Sequence, residues 1–257
     1  MSTELLVVGL DRMPYGEALT LQRAVAHARI DKRLARDVLL LVEHPPVITL
    51  GRSTEPKHLP LSAEQLAARG VELHDIERGG DVTFHGPGQL VGYPIYDLSE
   101  HRRDLHWYLR QLEAALIAAL AQFGIEGERN EGYTGVWTGG RKIASIGIHV
   151  KQWVTWHGFA LNVTTDLSYF DLIVPCGIQD VVMTSVQREL GERTPRDVWA
   201  RAIDTVMLGF SETFGQVPQA GSVADLPVQL SEGAQPQQAL PGTDRLGFDP
   251  NTSRETR

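Results

Sequence analysis

Short apolar runs of strand length, set among helical stripes that do not alternate strictly with them, constrain this chain most. Leu5-Leu6-Val7-Val8 reads as a first strand, residues 38–42 form an unbroken apolar run, and residues 47–50 form another, split off by Pro45-Pro46. Asp11 and Pro14 open a helix predicted to reach about Arg36, with Ala18, Leu21, Val25 and Ala28 at helical spacing. Ser62-Ala63-Glu64-Gln65 fits a capping box for a short helix that stops at Gly70. Strand-like pieces follow at 71–76, 81–84 and 89–95. Leu105, Leu109, Leu112, Leu116, Leu120 and Phe123 then make a helical stripe ended by Gly124. A β-rich block comes next: residues 134–138, a Gly139-Gly140 turn that signals a hairpin, then 142–150 and 154–163. Thr194-Pro195 is predicted to cap a last helix carrying Val198, Ile203, Val206 and Phe210. This order implies an α/β (α+β) protein, a mixed β-sheet packed by helices in a single domain over about residues 1–215.

From Gln216 onward the character changes. Gln, Pro, Gly and Ser make up 18 of the last 42 residues, and Phe248 is their only aromatic. Such a segment lacks the apolar area to offset its ordering entropy, so 216–257 is expected to be a disordered tail. The 257 residues are 42% hydrophobic and 22% charged, enough to bury a sizeable core. A single Cys excludes an internal disulfide framework and points to a reducing, cytoplasmic setting. No apolar run is long enough to span a membrane, and Glu4 stands where a signal peptide would be basic. The net charge of −8 argues against nucleic acid as a partner.

Four segments could carry chemistry. In Arg78-Gly79-Gly80-Asp81-Val82-Thr83-Phe84-His85-Gly86-Pro87-Gly88-Gln89 the glycines allow close backbone approach to a ligand, and Arg78, Thr83, His85 and Gln89 supply hydrogen-bonding groups. It lacks the Gly-Lys-Ser/Thr ending of a phosphate loop, and Val91 breaks a dinucleotide fingerprint, so two turns between strands is the competing reading. In Gly139-Gly140-Arg141-Lys142-Ile143-Ala144-Ser145-Ile146-Gly147, Lys142 is one of only four lysines. A lysine at a strand end often snorkels to solvent, whereas a buried one can exchange protons near neutral pH, as Arg cannot. In Val174-Pro175-Cys176-Gly177-Ile178, the cysteine is either a small buried apolar residue or a nucleophile on an irregular segment. A thiol of ordinary pKa is only a few per cent ionised at pH 7, so a nucleophile needs a nearby cation, for which Lys142 is chemically suited. His157-Gly158-Phe159-Ala160-Leu161-Asn162-Val163 reads as a strand whose small residues could line an apolar channel. The scattered histidines show no metal-ligand spacing, so no metal is expected.

Together, and in this order, the four segments resemble the octanoyltransferases of lipoate biosynthesis, the lipoyl/octanoyl transferase family. The run from Arg78 through Gln89 to Tyr93 matches along its whole length, as do 141–147, 157–162 and 175–177. The resemblance implies the catalytic fold of biotin- and lipoate-protein ligases. It also implies transfer of an octanoyl group from octanoyl-acyl carrier protein to a specific lysine of lipoyl domains, without a cofactor. Those domains would belong to 2-oxoacid dehydrogenase E2 subunits and to the glycine cleavage H protein. By the same likeness Cys176 is the acyl-thioester nucleophile and Lys142 lowers its pKa and transfers protons. The substrate pocket maps to Arg78, Gly79, Gly80, Asp81, Val82, Thr83, Phe84 and His85, to Ser145, Ile146 and Gly147, and to Gly158, Phe159 and Ala160. Two alternatives share these residues: an ATP-dependent lipoate-protein ligase, and a non-catalytic acyl-binding module. The partners implied by the resemblance are commonly acidic whereas this chain is itself acidic, so a local basic rim near the pocket, formed by Arg52, Lys57, Arg141 and Lys151, is also expected.

Overall fold

The apolar runs are unbroken because both faces of the main sheet are covered. The computed structural model describes residues 4–174 and 181–228. In chain order the elements are β1 (Glu4–Arg12), α1 (Tyr15–Ile30), β2 (Asp37–Glu43), β3 (Val47–Leu50), α2 (Ala63–Ala67), β4 (Glu72–Asp75), β5 (Thr83–His85) and β6 (Gln89–Ile95). They continue with α3 (Leu105–Ala121), β7 (Glu128–Asn130), β8 (Tyr133–Thr138), β9 (Arg141–Lys151), β10 (Val154–Asn162), α4 (Val186–Leu190), α5 (Val198–Phe214) and β11 (Val217–Gly221).

Eight strands form one sheet in the order β11-β1-β2-β6-β10-β9-β8-β7, and β4-β3-β5 form a second, smaller one. β1 runs parallel to β2 and β11, while β2-β6 and β6-β10-β9-β8 pair antiparallel, so the main sheet is mixed as expected. Alternate residues divide between two cores. Leu5, Val7, Leu39, Leu41 and Leu161 pack with Leu112 and Leu116 of α3 and Val206 and Phe210 of α5. Leu6, Val8, Val38, Leu40 and Val42 pack with Leu21 and Val25 of α1. Strands buried on both faces need apolar residues at every position, which is what the sequence shows.

Local signals settle several turns. Gly139 and Gly140 sit at φ 51° and 73°, the left-handed pair that a two-residue hairpin between β8 and β9 requires. Ser62 caps α2 by accepting from the Gln65 N–H, and the Gln65 side chain accepts from the Ser62 N–H. Among the described residues no helix is long and apolar enough to cross a membrane.

Three expectations need correction. The first helix ends at Ile30 rather than near Arg36, because Lys32 turns out of the helix at φ 59° and its ammonium reaches Asp97. The last helix begins at Val198, beyond Thr194-Pro195. The segment from Gln216 is not a tail throughout: β11 adds to the edge of β1, and Leu226 is buried in the α1-side core. Gln216 itself is buried and donates to the Asp37 carboxylate at 3.0 Å. Asp37 also receives Arg29 at 3.2 Å, His101 at 2.7 Å and the Asp97 N–H at 3.1 Å. A buried polar hub thus substitutes for the apolar area that 216–228 lacks. Residues 229–257 lie outside the described residues.

Candidate functional site

Lys142 begins the site. It is the second residue of β9, and 3% of its surface is exposed. Register shifts beside it: Val136 faces Ala144, but Trp137 faces Lys142, so Ile143 is an extra residue and β9 bulges there. Such a bulge re-aims the neighbouring side chain. The Lys142 ammonium comes to lie 5.0 Å from the Trp137 ring centroid. Gly135, opposite on β8, provides the space, since a Cβ there would stand 3.0 Å from Lys142 Cε and 2.6 Å from the Ala144 carbonyl. On the other side the Lys142 N–H donates to the Val182 carbonyl at 2.8 Å, and Lys142 O accepts from the Thr184 N–H at 2.9 Å. Glu189 holds that segment down: it takes a two-point contact from Arg141 at 3.0 and 2.8 Å and a hydrogen bond from Thr184 Oγ1.

The Arg78 loop forms the opposite wall. Gly79 N–H donates to the Ile148 carbonyl at 2.8 Å, while Arg52 and Ser53 donate their N–H groups to Arg78 O and Gly80 O. Such close backbone passage needs bare Cα positions: a Cβ on Gly51 would stand 2.3 Å from Gly80 O, and one on Gly147 2.9 Å from Gly79 O. The Arg78 guanidinium turns inward to Thr49, donating to both its carbonyl and its hydroxyl at 2.9 Å. Between this loop, β9 and β10 lies a cavity of about 460 Å³. Lys142, Arg78, Gly79, Gly80, Asp81, Val82, Thr83 and His85 line it, as do Ser145, Ile146, Gly147, Gly158, Phe159 and Ala160.

Phe84 is the exception among the expected residues. On β5 it points away from Thr83 and His85, stacks on Tyr169 at 4.7 Å and meets Phe170 edge-on at 5.7 Å. Its role is to pack the small sheet. Cys176 lies outside the described residues. The expected basic rim is partly neutralised, because Arg141 is paired with Glu189 and Lys57 with Glu55, while Arg52 is tied to the Glu77 carbonyl and to His149.

Several lining residues were not among those assigned to the pocket from the sequence. Tyr15 and Tyr93 reach the cavity from α1 and β6, and His58 and His157 also line it. Behind them His44 donates from Nδ1 to the Met13 carbonyl and accepts from the Tyr93 hydroxyl at Nε2, both at 2.7 Å. Burial pushes its pKa down to about 4. His85 is pushed to about 3 by burial, with His44 adding to the fall and its hydrogen bond to Gln89 Oε1 resisting it. Burial would raise Glu77, but the His157 imidazole 3.8 Å away and hydrogen bonds from Arg23 and Trp156 outweigh it and hold the carboxyl well below its usual range.

Residues 14–207 match the model of the lipoyl protein ligase A/B catalytic domain. The chain is 55% identical to the octanoyltransferase of Gloeobacter violaceus, over 68% of this chain and 77% of that one. It is 48% identical to the octanoyltransferase of Acidobacterium capsulatum, over 86% of this chain and 95% of the relative. The chain belongs to the octanoyltransferase family. Octanoyltransferases thus share the fold of the ligases. A lipoate-protein ligase A solved with ATP superposes with a TM-score of 0.68 at 16% identity, covering 87% of this chain and 90% of the ligase. A structure from the lipoylation system of Thermoplasma acidophilum, a bi-partite lipoate protein ligase and its E2 lipoyl domain, gives a TM-score of 0.66 at 16% identity, covering 87% of this chain and 88% of that one. At such identity these two likenesses speak for fold alone, and the expected fold is borne out.

Proposed function

We propose that this octanoyltransferase takes an octanoyl group from octanoyl-acyl carrier protein onto Cys176. It then passes the group to a specific lysine of lipoyl domains in 2-oxoacid dehydrogenase E2 subunits and glycine cleavage H protein. The observation that carries the reading is a buried Lys142 in the wall of a cavity that also carries an apolar patch of Val91, Ile146, Phe159 and Ala160. An apolar patch within a cavity of a few hundred Å³ suits an eight-carbon chain. In the first step a Cys176 thiolate attacks the carrier thioester: one C–S bond forms, the carrier's C–S bond breaks, and the carrier thiol leaves with a proton. Exchange of one thioester for another is nearly isoenergetic and needs no ATP. In the second step the lysine amine forms the amide C–N bond, the Cys176 C–S bond breaks, and the surplus amine proton passes through Lys142 to the departing sulfur. The chain is placed in the cytoplasm by this reading, since its donor and acceptors are there.

Intact-mass spectrometry after incubation with octanoyl-acyl carrier protein, without nucleotide, tests the proposal. Wild type should gain one octanoyl mass and Cys176→Ser none. No adduct on wild type, or an adduct that requires ATP, would reject the transferase reading, the latter in favour of a ligase.

A further inference from the structure

The histidine of the Arg78–Gln89 segment has a fixed tautomer, and the reason lies outside the cavity. Thr184 offers Asn162 a backbone carbonyl, which can only accept, so the group that meets it at 3.0 Å must be the Asn162 Nδ2 amine. Asn162 Oδ1 therefore accepts, at 2.9 Å, from Gln89 Nε2, which also donates to the Phe84 carbonyl at 3.3 Å. That leaves Gln89 Oε1 against His85 Nδ1 at 2.8 Å. An amide oxygen can only accept, so Nδ1 carries the proton and Nε2 of the neutral ring carries a lone pair.

His44 has the same tautomer for a parallel reason, its Nδ1 facing the Met13 carbonyl, but its Nε2 lone pair is used by the Tyr93 hydroxyl. Among the described residues the His85 Nε2 has no such donor. The ring is buried, lines the cavity, and is held in plane by Tyr15, stacked on it at 6.0 Å with 8° between the planes. A lone pair kept without a donor in a cavity wall calls for one from the substrate.

We propose that His85 Nε2 accepts an N–H hydrogen bond from the acceptor lysine's amine as that amine attacks the acyl thioester, which makes His85 a catalytic residue of the second half-reaction. The inference rests on the proposed function above. The thioester offers only acceptors, whereas the amine carries N–H groups. Its nitrogen gains positive charge as the C–N bond forms, so its hydrogen bond to Nε2 strengthens in the transition state. The proton itself goes to the departing sulfur; His85 aims the amine and does not keep the proton. Burial and the relay suit that task, since a ring of depressed pKa stays a neutral acceptor across the physiological range.

His85→Asn tests this. Its amide Nδ2 can still donate to Gln89 Oε1, preserving the relay, while nothing remains at the Nε2 position. Rate constants for octanoylation of the enzyme and for transfer to a lipoyl domain are measured separately by rapid-quench mass spectrometry. Transfer should fall about 10- to 100-fold more than octanoylation. Equal loss in both steps, or no loss in transfer, would overturn the assignment, the former because it marks a merely structural role. His85→Gln provides a second arm if the first variant fails to fold. Its amide oxygen can stand at the Nε2 position and accept, so transfer should slow no more than octanoylation, and a selective slowing of transfer would overturn the assignment. Absence of any acyl-enzyme on wild type would instead defeat the underlying two-step reading, and this inference with it.

Discussion

Lys142 differs from most lysines in being buried, with 3% of its surface exposed, in the wall of the cavity. The bulge at Ile143 turns its side chain toward Trp137, and the 182–184 segment takes both its N–H and its C=O. Arg at this position would keep the charge but could not release a proton. Lys142→Arg should therefore lower octanoyl transfer by about 100-fold or more in single-turnover assays while the protein stays folded. Activity within tenfold of wild type would reject the proton-transfer role. At this scale the sequence was readable where chemistry is local. Arg78, Thr83, His85 and Lys142 stand in compact segments of unusual composition. The Gln89–Asn162–Thr184 relay was not readable, because its members meet only after β6, β10 and the 181–184 segment are brought together across separations of 73 and 22 residues.

Elements were legible in proportion to how much of their stability is their own. β6, β10, α3 and the β8-β9 hairpin appear almost where periodicity and turn residues put them. β11 was missed because nothing in Val217-Pro218-Gln219-Ala220-Gly221 favours a strand; it exists by pairing with β1 and by the hold of Asp37 on Gln216. That dependence is testable. A chain ending at Gly215 should melt roughly 5 °C below one ending at Val228, since it loses Leu226 from the core and a buried hydrogen bond to a carboxylate, offset by the entropy of ordering the segment. Equal melting temperatures would show that 216–228 contributes nothing to the folded domain. Phe84 makes the same point within a motif. A match along the whole Arg78–Gln89 run does not say which side chains face the cavity, whereas the period of two along β5 does: Thr83 and His85 inward, Phe84 into the small sheet's core.

For the molecule as a whole, the buried imidazoles make stability depend on pH in a particular window. His44, His85 and His157 all have folded pKa values depressed chiefly by burial, to about 4 and about 3 for the first two. A histidine whose folded pKa lies below its unfolded value of about 6.5 contributes stability that is complete above that value. It is lost as pH falls below 6.5 toward the folded pKa, because the unfolded chain takes up the proton first. Each such group adds a slope of up to about 1.4 kcal/mol per pH unit. The carboxylates held low, among them Glu77, Asp97 and Glu189, act with the same sign but only once pH falls below the ordinary carboxylate range. Between about pH 6.5 and 4.5 the histidines should therefore dominate the slope. His44→Gln, which can still reach the Met13 carbonyl, should flatten the fall in unfolding free energy across that interval by roughly a third, as measured by urea titration at several pH values. An unchanged slope would mean that the imidazole behind Tyr93 is not held neutral by burial, and with it would fall the physical picture of this wall as a set of fixed, uncharged acceptors.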